Sequence, residues 1–271
     1  MHHYLLDSRA AKETSGAQLA KIQAWIKASR IAGQQYDLRS PQQIVEQVQK
    51  TVTMHTKPTI VVIGDDFSLD TAITALLDDQ RDIALGYIPL RSETPSSVLL
   101  GYKNWKQACD ALLKAKRATM PLLRVEDFTI LSECELQPIQ SDTDAPSSAI
   151  NSVVRLDARL ELSVPRASWR ITNLQHDADR QMQPKAFCIE ARIPSIAERH
   201  KKEARQRLDL ATKIIAPSHQ SILKLKANSA KLSLEAPLLL QGIVQLRNDI
   251  KIEKITKTQQ FIVQAKSSAL A

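Results

Sequence analysis

The sequence predicts a doubly wound α/β domain over residues 1–120, followed by a mainly antiparallel β domain over residues 121–271. Three observations carry this. Short apolar runs alternate with amphipathic helical stretches through the first 120 residues, which is the rhythm of strand–helix–strand units around a parallel sheet. Two of those runs, PTIVVIG and DIALGYIPL, are dominated by apolar residues, as strands covered on both faces are. After Pro121 the helical spacing stops, and runs that alternate apolar and polar residues take over. That alternation marks strands with one buried and one wet face.

Taken in order, YLLDS reads as the first strand. QLAKIQAWIKAS sets Leu19, Ile22, Ile26 and Ala28 near one helical face. GQQYDLRS is a weak strand. Ser40-Pro41 opens the next helix, with Ser as N-cap and Pro in the first turn, and Ile44, Val45, Val48 and Val52 follow at helical spacing. PTIVVIG leads through a tight acidic turn, GDDFS, into the helix LDTAITALLDD. DIALGYIPL is a buried strand, TPSSVLLGY a short helix and NWKQACDALLKAKRA a longer one.

In the second half LLRVEDFTILSECEL, SVVRLDARLELSVP, SWRITNL, FCIEARIP, TKIIAPS, SILKLKANSAKLSL, PLLLQGIVQL, IKIEKI and QQFIVQA read as strands. Val154, Leu156, Ala158, Leu160 and Leu162 alternate there with Arg155, Asp157, Arg159 and Glu161. Gln140–Ser147 is a polar loop, and AERHKKEARQRLD is a loop or a short helix.

The 271 residues, 43% of them hydrophobic, suffice for one large or two modest cores. No run approaches 18 apolar residues, so no membrane-crossing helix is expected, and the first residues do not read as a signal peptide. Cys109, Cys134 and Cys188 are widely spaced and odd in number, which suggests reduced thiols in a cytoplasmic protein. Cys109 sits between Ala108 and Leu112 as a small buried hydrophobe. Trp25, Trp105 and Trp169 lie in apolar-patterned segments and are expected in the core or at a domain interface. His2, His3 and His219 have no partners at ligand spacing and are expected at the surface. No CxxC, HExxH or His/Cys cluster is present, so a zinc site is not expected.

Charge is uneven. Residues 151–271 carry 21 Lys and Arg against 11 Asp and Glu, a net +10, whereas the first 150 carry 16 against 18, a net −2. A basic half beside a near-neutral one suits an acidic partner. With only 4% aromatic residues, base stacking on single strands is disfavoured, and no nucleic-acid partner is expected.

The candidate site is Gly64-Asp65-Asp66-Phe67-Ser68. A strand that hands over to a helix N-terminus offers N–H donors and a positive dipole end to an anion. In α/β sheets ligands sit in the crevice at such strand ends. Glycines would let a backbone approach phosphates closely, yet two aspartates and a phenylalanine stand here. The turn is therefore a nucleotide site, a decayed one, or a plain turn with Ser68 or Asp66 as N-cap. Arg91 and Ser92, after the next strand, are a phosphate-binding pair or a solvated loop. Arg199, Lys201, Lys202, Arg205 and Arg207 are a contact for anionic membrane, at about 1 kcal/mol per charge, or a solvated run paired with Glu198 and Glu203.

These residues resemble the diacylglycerol kinase catalytic-domain family of lipid kinases, bacterial members included, over nearly the whole chain. The family's third strand ends in GGDGT, here Gly64-Asp65-Asp66-Phe67-Ser68. Its next strand ends in PLGTxND, here Pro89-Leu90-Arg91-Ser92-Glu93-Thr94-Pro95. Ala108–Ile130 resembles the stretch that returns toward the second domain. The family's Asn-Pro near the N-terminus is Asp7-Ser8 here. In APLLLQGIVQL, Gly242 is kept and the acidic residues of a DGE-like turn are gone.

The resemblance implies a Rossmann-like N-terminal domain and a β-sandwich C-terminal domain. It implies ATP-dependent phosphorylation of a lipid hydroxyl, with Gly64, Asp65, Asp66, Phe67, Ser68, Arg91 and Ser92 around ATP. It further implies Asp66 as a Mg²⁺ contact, and a cytoplasmic protein that meets the inner face of the membrane through the basic run. A homodimer is left open. Asp65 and Phe67 replace glycines, Phe67 with strain if that position needs positive φ. Thr94-Pro95 replaces Asn-Asp, and no carboxylate matches the family's general base. These departures imply the alternative, a catalytically inactive pseudokinase that binds a nucleotide, a lipid or a protein partner. The related GGDGT-type kinases of NAD or sugar phosphates are a third reading, which the β-rich second half fits less well.

Overall fold

The computed structural model describes residues 1–12, 16–29, 31, 33–77, 79, 81, 83–138, 151–156, 160–165, 168–173, 187–194, 220–227, 229–234, 238–240, 243–246 and 249–264. In chain order the α/β elements are β1 (His2–Asp7), α1 (Ser8–Lys12), α2 (Gly16–Ala28), β2 (Gly33–Leu38), α3 (Pro41–Met54), β3 (Thr59–Gly64), α4 (Asp66–Ala75), β4 (Ala84–Pro89), α5 (Pro95–Leu99) and α6 (Trp105–Lys114). Strands follow: β5 (Arg117–Val125), β6 (Phe128–Ile130), β7 (Glu133–Pro138), β8 (Asn151–Leu156), β9 (Leu160–Pro165), β10 (Ser168–Thr172), β11 (Phe187–Pro194), β12 (Gln220–Ala227), β13 (Ser229–Leu234), β14 (Leu238–Leu240), β15 (Val244–Gln245) and β16 (Asp249–Ile262).

The chain forms two compact units. The first holds Met1–Leu122, Asp127–Ser132 and Ile255–Ala271, and the second holds Leu123–Glu126 and Glu133–Lys254. A single cut after residue 120 does not describe this division, because the chain passes between the units more than once. Strand patterning carries no signal for such returns: IKIEKI and QQFIVQA, read as two strands, form the single long β16.

In the first unit β2, β1, β3 and β4 form a parallel sheet in that order, and Gln260 and Phe261 of β16 add in parallel to β4. All but the first residue of β3 and every residue of β4 are buried, since helices cover both faces. Each fully buried Val or Ile of β3 contributes roughly 1.5–3 kcal/mol. Helix α3 packs on α4, and α2 on α6. Ser40 caps α3 by accepting from Gln43 N, with Pro41 in the first turn, and the helix buries Ile44, Val48, Thr51 and Val52. Cys109 is buried on α6 beside Ala108 and Leu112.

In the second unit β7 to β15 and the first residues of β16 pair antiparallel. One sheet joins β9, β8, β13 and the first residues of β16, and the other runs β12, β11, β10, β7, β14, β15. Val154, Leu156, Ala230, Leu232, Ile250 and Ile252 are buried, whereas Arg155, Lys231 and Lys251 alternate with them on the exposed face. Trp169, Ile171, Phe187 and Ile189 line the buried face of the second sheet. The α/β unit and the antiparallel β unit are the fold class that the patterning predicts.

One expectation is corrected. His3 is fully buried rather than at the surface. It lies on β1 with its ring 4.5 Å from that of His55 and 6.2 Å from that of Tyr36, and burial, then the charge of His55, lower its pKa. A histidine on a two-face-covered strand is buried whatever its polarity. Trp169 is in the core as expected, and Trp25 and Trp105 are half-buried and pack against the core of the first unit. The TKIIAPS strand, the Gln140–Ser147 loop, AERHKKEARQRLD with its basic run Arg199, Lys201, Lys202, Arg205 and Arg207, His219 and Gly242 lie outside the described residues.

Candidate functional site

Strands β1, β3 and β4 end together, because they are parallel and in register: Leu6 faces Ile63, and Gly64 faces Pro89. That brings Asp7, Gly64–Ser68 and the loop from Leu90 to one end of the sheet. The Leu90 amide donates to the Gly64 carbonyl at 3.0 Å, which joins the two loops.

Asp65 is the N-cap of α4. Its backbone is extended (φ −98°, ψ 178°), and its Oδ1 accepts from Ser68 N at 2.8 Å. The cap is thus one residue before Asp66 and three before Ser68, the two that the plain-turn reading names, because the helix begins inside the GDDFS stretch. The Ser68 hydroxyl is fully buried. It lies 2.6 Å from Asp65 Oδ1 and 2.6 Å from Asp7 Oδ2. Asp7 is itself buried and also accepts from Arg9, at Oδ1 from the backbone N (2.8 Å) and at Oδ2 from Nη2 (2.7 Å).

Gly64 has a packing role. A Cβ there would fall 2.7 Å from Ser68 Oγ, 2.9 Å from Ser68 Cβ and 3.3 Å from Asp7 Cβ. The close approach that only glycine permits here is to the chain's own side chains.

Asp66, the first residue of α4, uses both carboxylate oxygens. Oδ1 accepts from the Tyr87 hydroxyl at 2.8 Å, and Oδ2 accepts from the Ser96 amide at 2.9 Å. It ties the start of α4 to β4 and to the start of α5. Burial, then the negative charge of Asp66, holds the Tyr87 hydroxyl firmly protonated. Phe67 is buried in the first turn of α4 and is not among the positive-φ residues, so it carries no backbone strain. Its ring stacks on Phe128 at 5.4 Å, and the Arg9 guanidinium lies 5.6 Å from its centroid. Arg91 and Ser92 are exposed in the turn after β4. Thr94 caps α5 by accepting from Ser97 N, with Pro95 in its first turn.

The sequence matches no protein-family model, and no curated protein matches it. Solved structures do. A diacylglycerol kinase from Bacillus anthracis str. Sterne superposes with a TM-score of 0.64 at 12% identity, covering 100% of this chain and 98% of that one. The chain has the diacylglycerol-kinase fold. An NAD kinase from Archaeoglobus fulgidus in complex with ATP also superposes, with a TM-score of 0.50 at 15% identity over 98% of this chain and 95% of that one.

Each departure of the GDDFS turn and of the loop after β4 from the motifs they resemble in sequence has a local role. The carboxylate of Asp65, in a glycine position, caps α4. Phe67, in another, packs on Phe128. Thr94-Pro95, in place of Asn-Asp, is a helix start. Mg²⁺ does not fit the donors present: Asp66 is a single carboxylate whose two oxygens already hold neutral donors. Among the described residues no group of three or more His, Cys, Asp and Glu is arranged around a metal.

Asp7, Arg9, Tyr87 and Ser96 complete the site and are absent from the sequence-level candidates for binding. Asp7 was visible only as the replacement of Asn-Pro. Tyr87 and Ser96 sit in an apolar strand and a Ser-Ser pair, where nothing in the local pattern marks a partner for Asp66.

Proposed function

We propose that this protein is a catalytically inactive member of the lipid-kinase fold, a pseudokinase that acts by binding. One observation carries the reading: the N-terminus of α4, where a kinase of this fold would cradle phosphate, is filled by the carboxylates of Asp65 and Asp7 around the Ser68 hydroxyl. Phosphoryl transfer is positioning plus stabilisation of negative charge. A phosphate here would meet two carboxylates, with a repulsion on the order of 4 kcal/mol per pair of unit charges 4 Å apart at an effective dielectric of about 20. The ATP, Mg²⁺ and lipid-hydroxyl chemistry of an active kinase is the alternative, supported by the likeness of fold.

The net +10 of residues 151–271 supports an acidic binding partner, and anionic lipid at the cytoplasmic face of a membrane is the one we propose. No helix among the described residues is long and apolar enough to cross a membrane, so the association would be peripheral.

The test is a kinase assay on the whole chain with Mg-ATP and diacylglycerol in mixed micelles. The reading predicts no phosphorylated lipid above the no-protein blank. Turnover that Asp66→Ala abolishes would restore the active-kinase reading.

A further inference from the structure

A second buried acid lies one turn along α4, outside the proposed binding site. Asp70 has no exposed surface. Its Oδ1 accepts from the Leu131 amide at 3.0 Å, and its Oδ2 has no hydrogen-bond partner among the described residues. The segment it holds is unusual in the chain. Asp127–Ser132 belongs to the first unit, although the residues before and after it, Leu123–Glu126 and Glu133 onward, belong to the second.

Three further contacts fasten the segment. The Thr129 amide donates to Thr74 Oγ1 at 2.9 Å. The Ser132 and Ser96 hydroxyls lie 2.7 Å apart. Phe128 stacks on Phe67. All of these are neutral; Asp70 is the one member of the clasp that can become charged.

We propose that Asp70 is a proton-operated latch: while it carries its proton it holds Asp127–Ser132 on α4, and its ionisation loosens that segment. An ionised carboxylate with no exposed surface and one unpartnered oxygen is strongly disfavoured. Burial is the main cause of a pKa raised well above the usual carboxylate range; the Leu131 amide acts against it, and the negative charges of Asp66 and Asp65 add to it. Of the elements packed around it, β3 and β6 carry no titratable side chain, and α3 offers Glu46 and Lys50, both exposed. The charges that bear on Asp70 are therefore both negative. Because the folded-state pKa lies above the unfolded one, the latch contributes fully at acid pH and is lost as pH rises through the folded-state pKa.

The experiment is hydrogen exchange on the full chain from about pH 5 to about pH 9, corrected for the intrinsic pH dependence of exchange. Protection of the Thr129 and Leu131 amides should fall by up to about tenfold per pH unit as pH rises from the ordinary carboxylate range toward the folded-state pKa of Asp70, and should stay level in the neutral isostere Asp70→Asn. Identical profiles in the two proteins would overturn the proposal. If Asp70→Asn does not fold, infrared spectroscopy of the wild type decides. A protonated carboxylic-acid band present at about pH 7 that disappears at higher pH, with protection falling over the pH range below its loss, supports the latch; no such band at about pH 7 overturns it.

Discussion

Ser68 and Asp7, 61 residues apart in sequence, meet at 2.6 Å between hydroxyl and carboxylate. The same hydroxyl lies 2.6 Å from Asp65, so one proton serves two carboxylates at a single helix N-terminus. Arg9 supplies Asp7 with its other donors, and the dipole of α4 favours the negative charge. An arrangement built to receive an external anion would leave these donors open. Here they are consumed from within.

Asp65 should therefore matter to stability. Asp65→Ala removes the N-cap of α4 and should cost about 1 kcal/mol in denaturant unfolding. Asp65→Ser, which keeps a capping oxygen, should recover most of that. Equal losses in the two variants would mean that the cap is not what the carboxylate provides.

Gly64 should tolerate no side chain. Gly64→Ala drives a Cβ against Ser68, and overpacking of this kind costs roughly 1–3 kcal/mol. Ser68→Ala removes the nearest obstacle, the Oγ at 2.7 Å. The double variant should then be less destabilised than the sum of the singles, a coupling of at least about 0.5 kcal/mol in a double-mutant cycle.

Much of this was legible in the sequence, and the rest was not, for definite reasons. The strand that ends at Gly64, the helix after it, the Ser40 cap and the change of pattern after Pro121 are local features, set by periodicity and capping chemistry within a few residues. The candidate turn was legible for the same reason. What closes the turn was not: Asp7 reaches Ser68 across 61 residues, and Tyr87 and Ser96 reach Asp66 across 21 and 30, only through the register of the strands that carry or precede them. His3 misled because a polar residue on a fully covered strand gives no local sign of burial. The return of β16 to the first unit was hidden because strands do not announce their partners.

Ala115 ends α6 in the left-handed conformation, at φ 49° and ψ 26°. Glycine adopts that conformation without the Cβ penalty. Ala115→Gly should stabilise the protein by about 0.5–1 kcal/mol, read as a raised denaturation midpoint at unchanged slope.

On the outer face of the second sheet Arg170 of β10 pairs across strands with Glu135 of β7, at 2.6 Å. Both side chains are about a third exposed, so Arg170→Ala should cost no more than about 1 kcal/mol. That cost should shrink in high salt, where exposed charges are screened. A larger, salt-independent loss would point to a packing role for the arginine stem.

The most direct test of the closed turn is calorimetric titration of the purified protein with Mg-ATP. The carboxylates of Asp7 and Asp65 predict no saturable binding at millimolar nucleotide. Saturable binding that Asp66→Ala abolishes would contradict this: the turn would then still cradle phosphate, and the protein would stand as a working nucleotide-binding kinase.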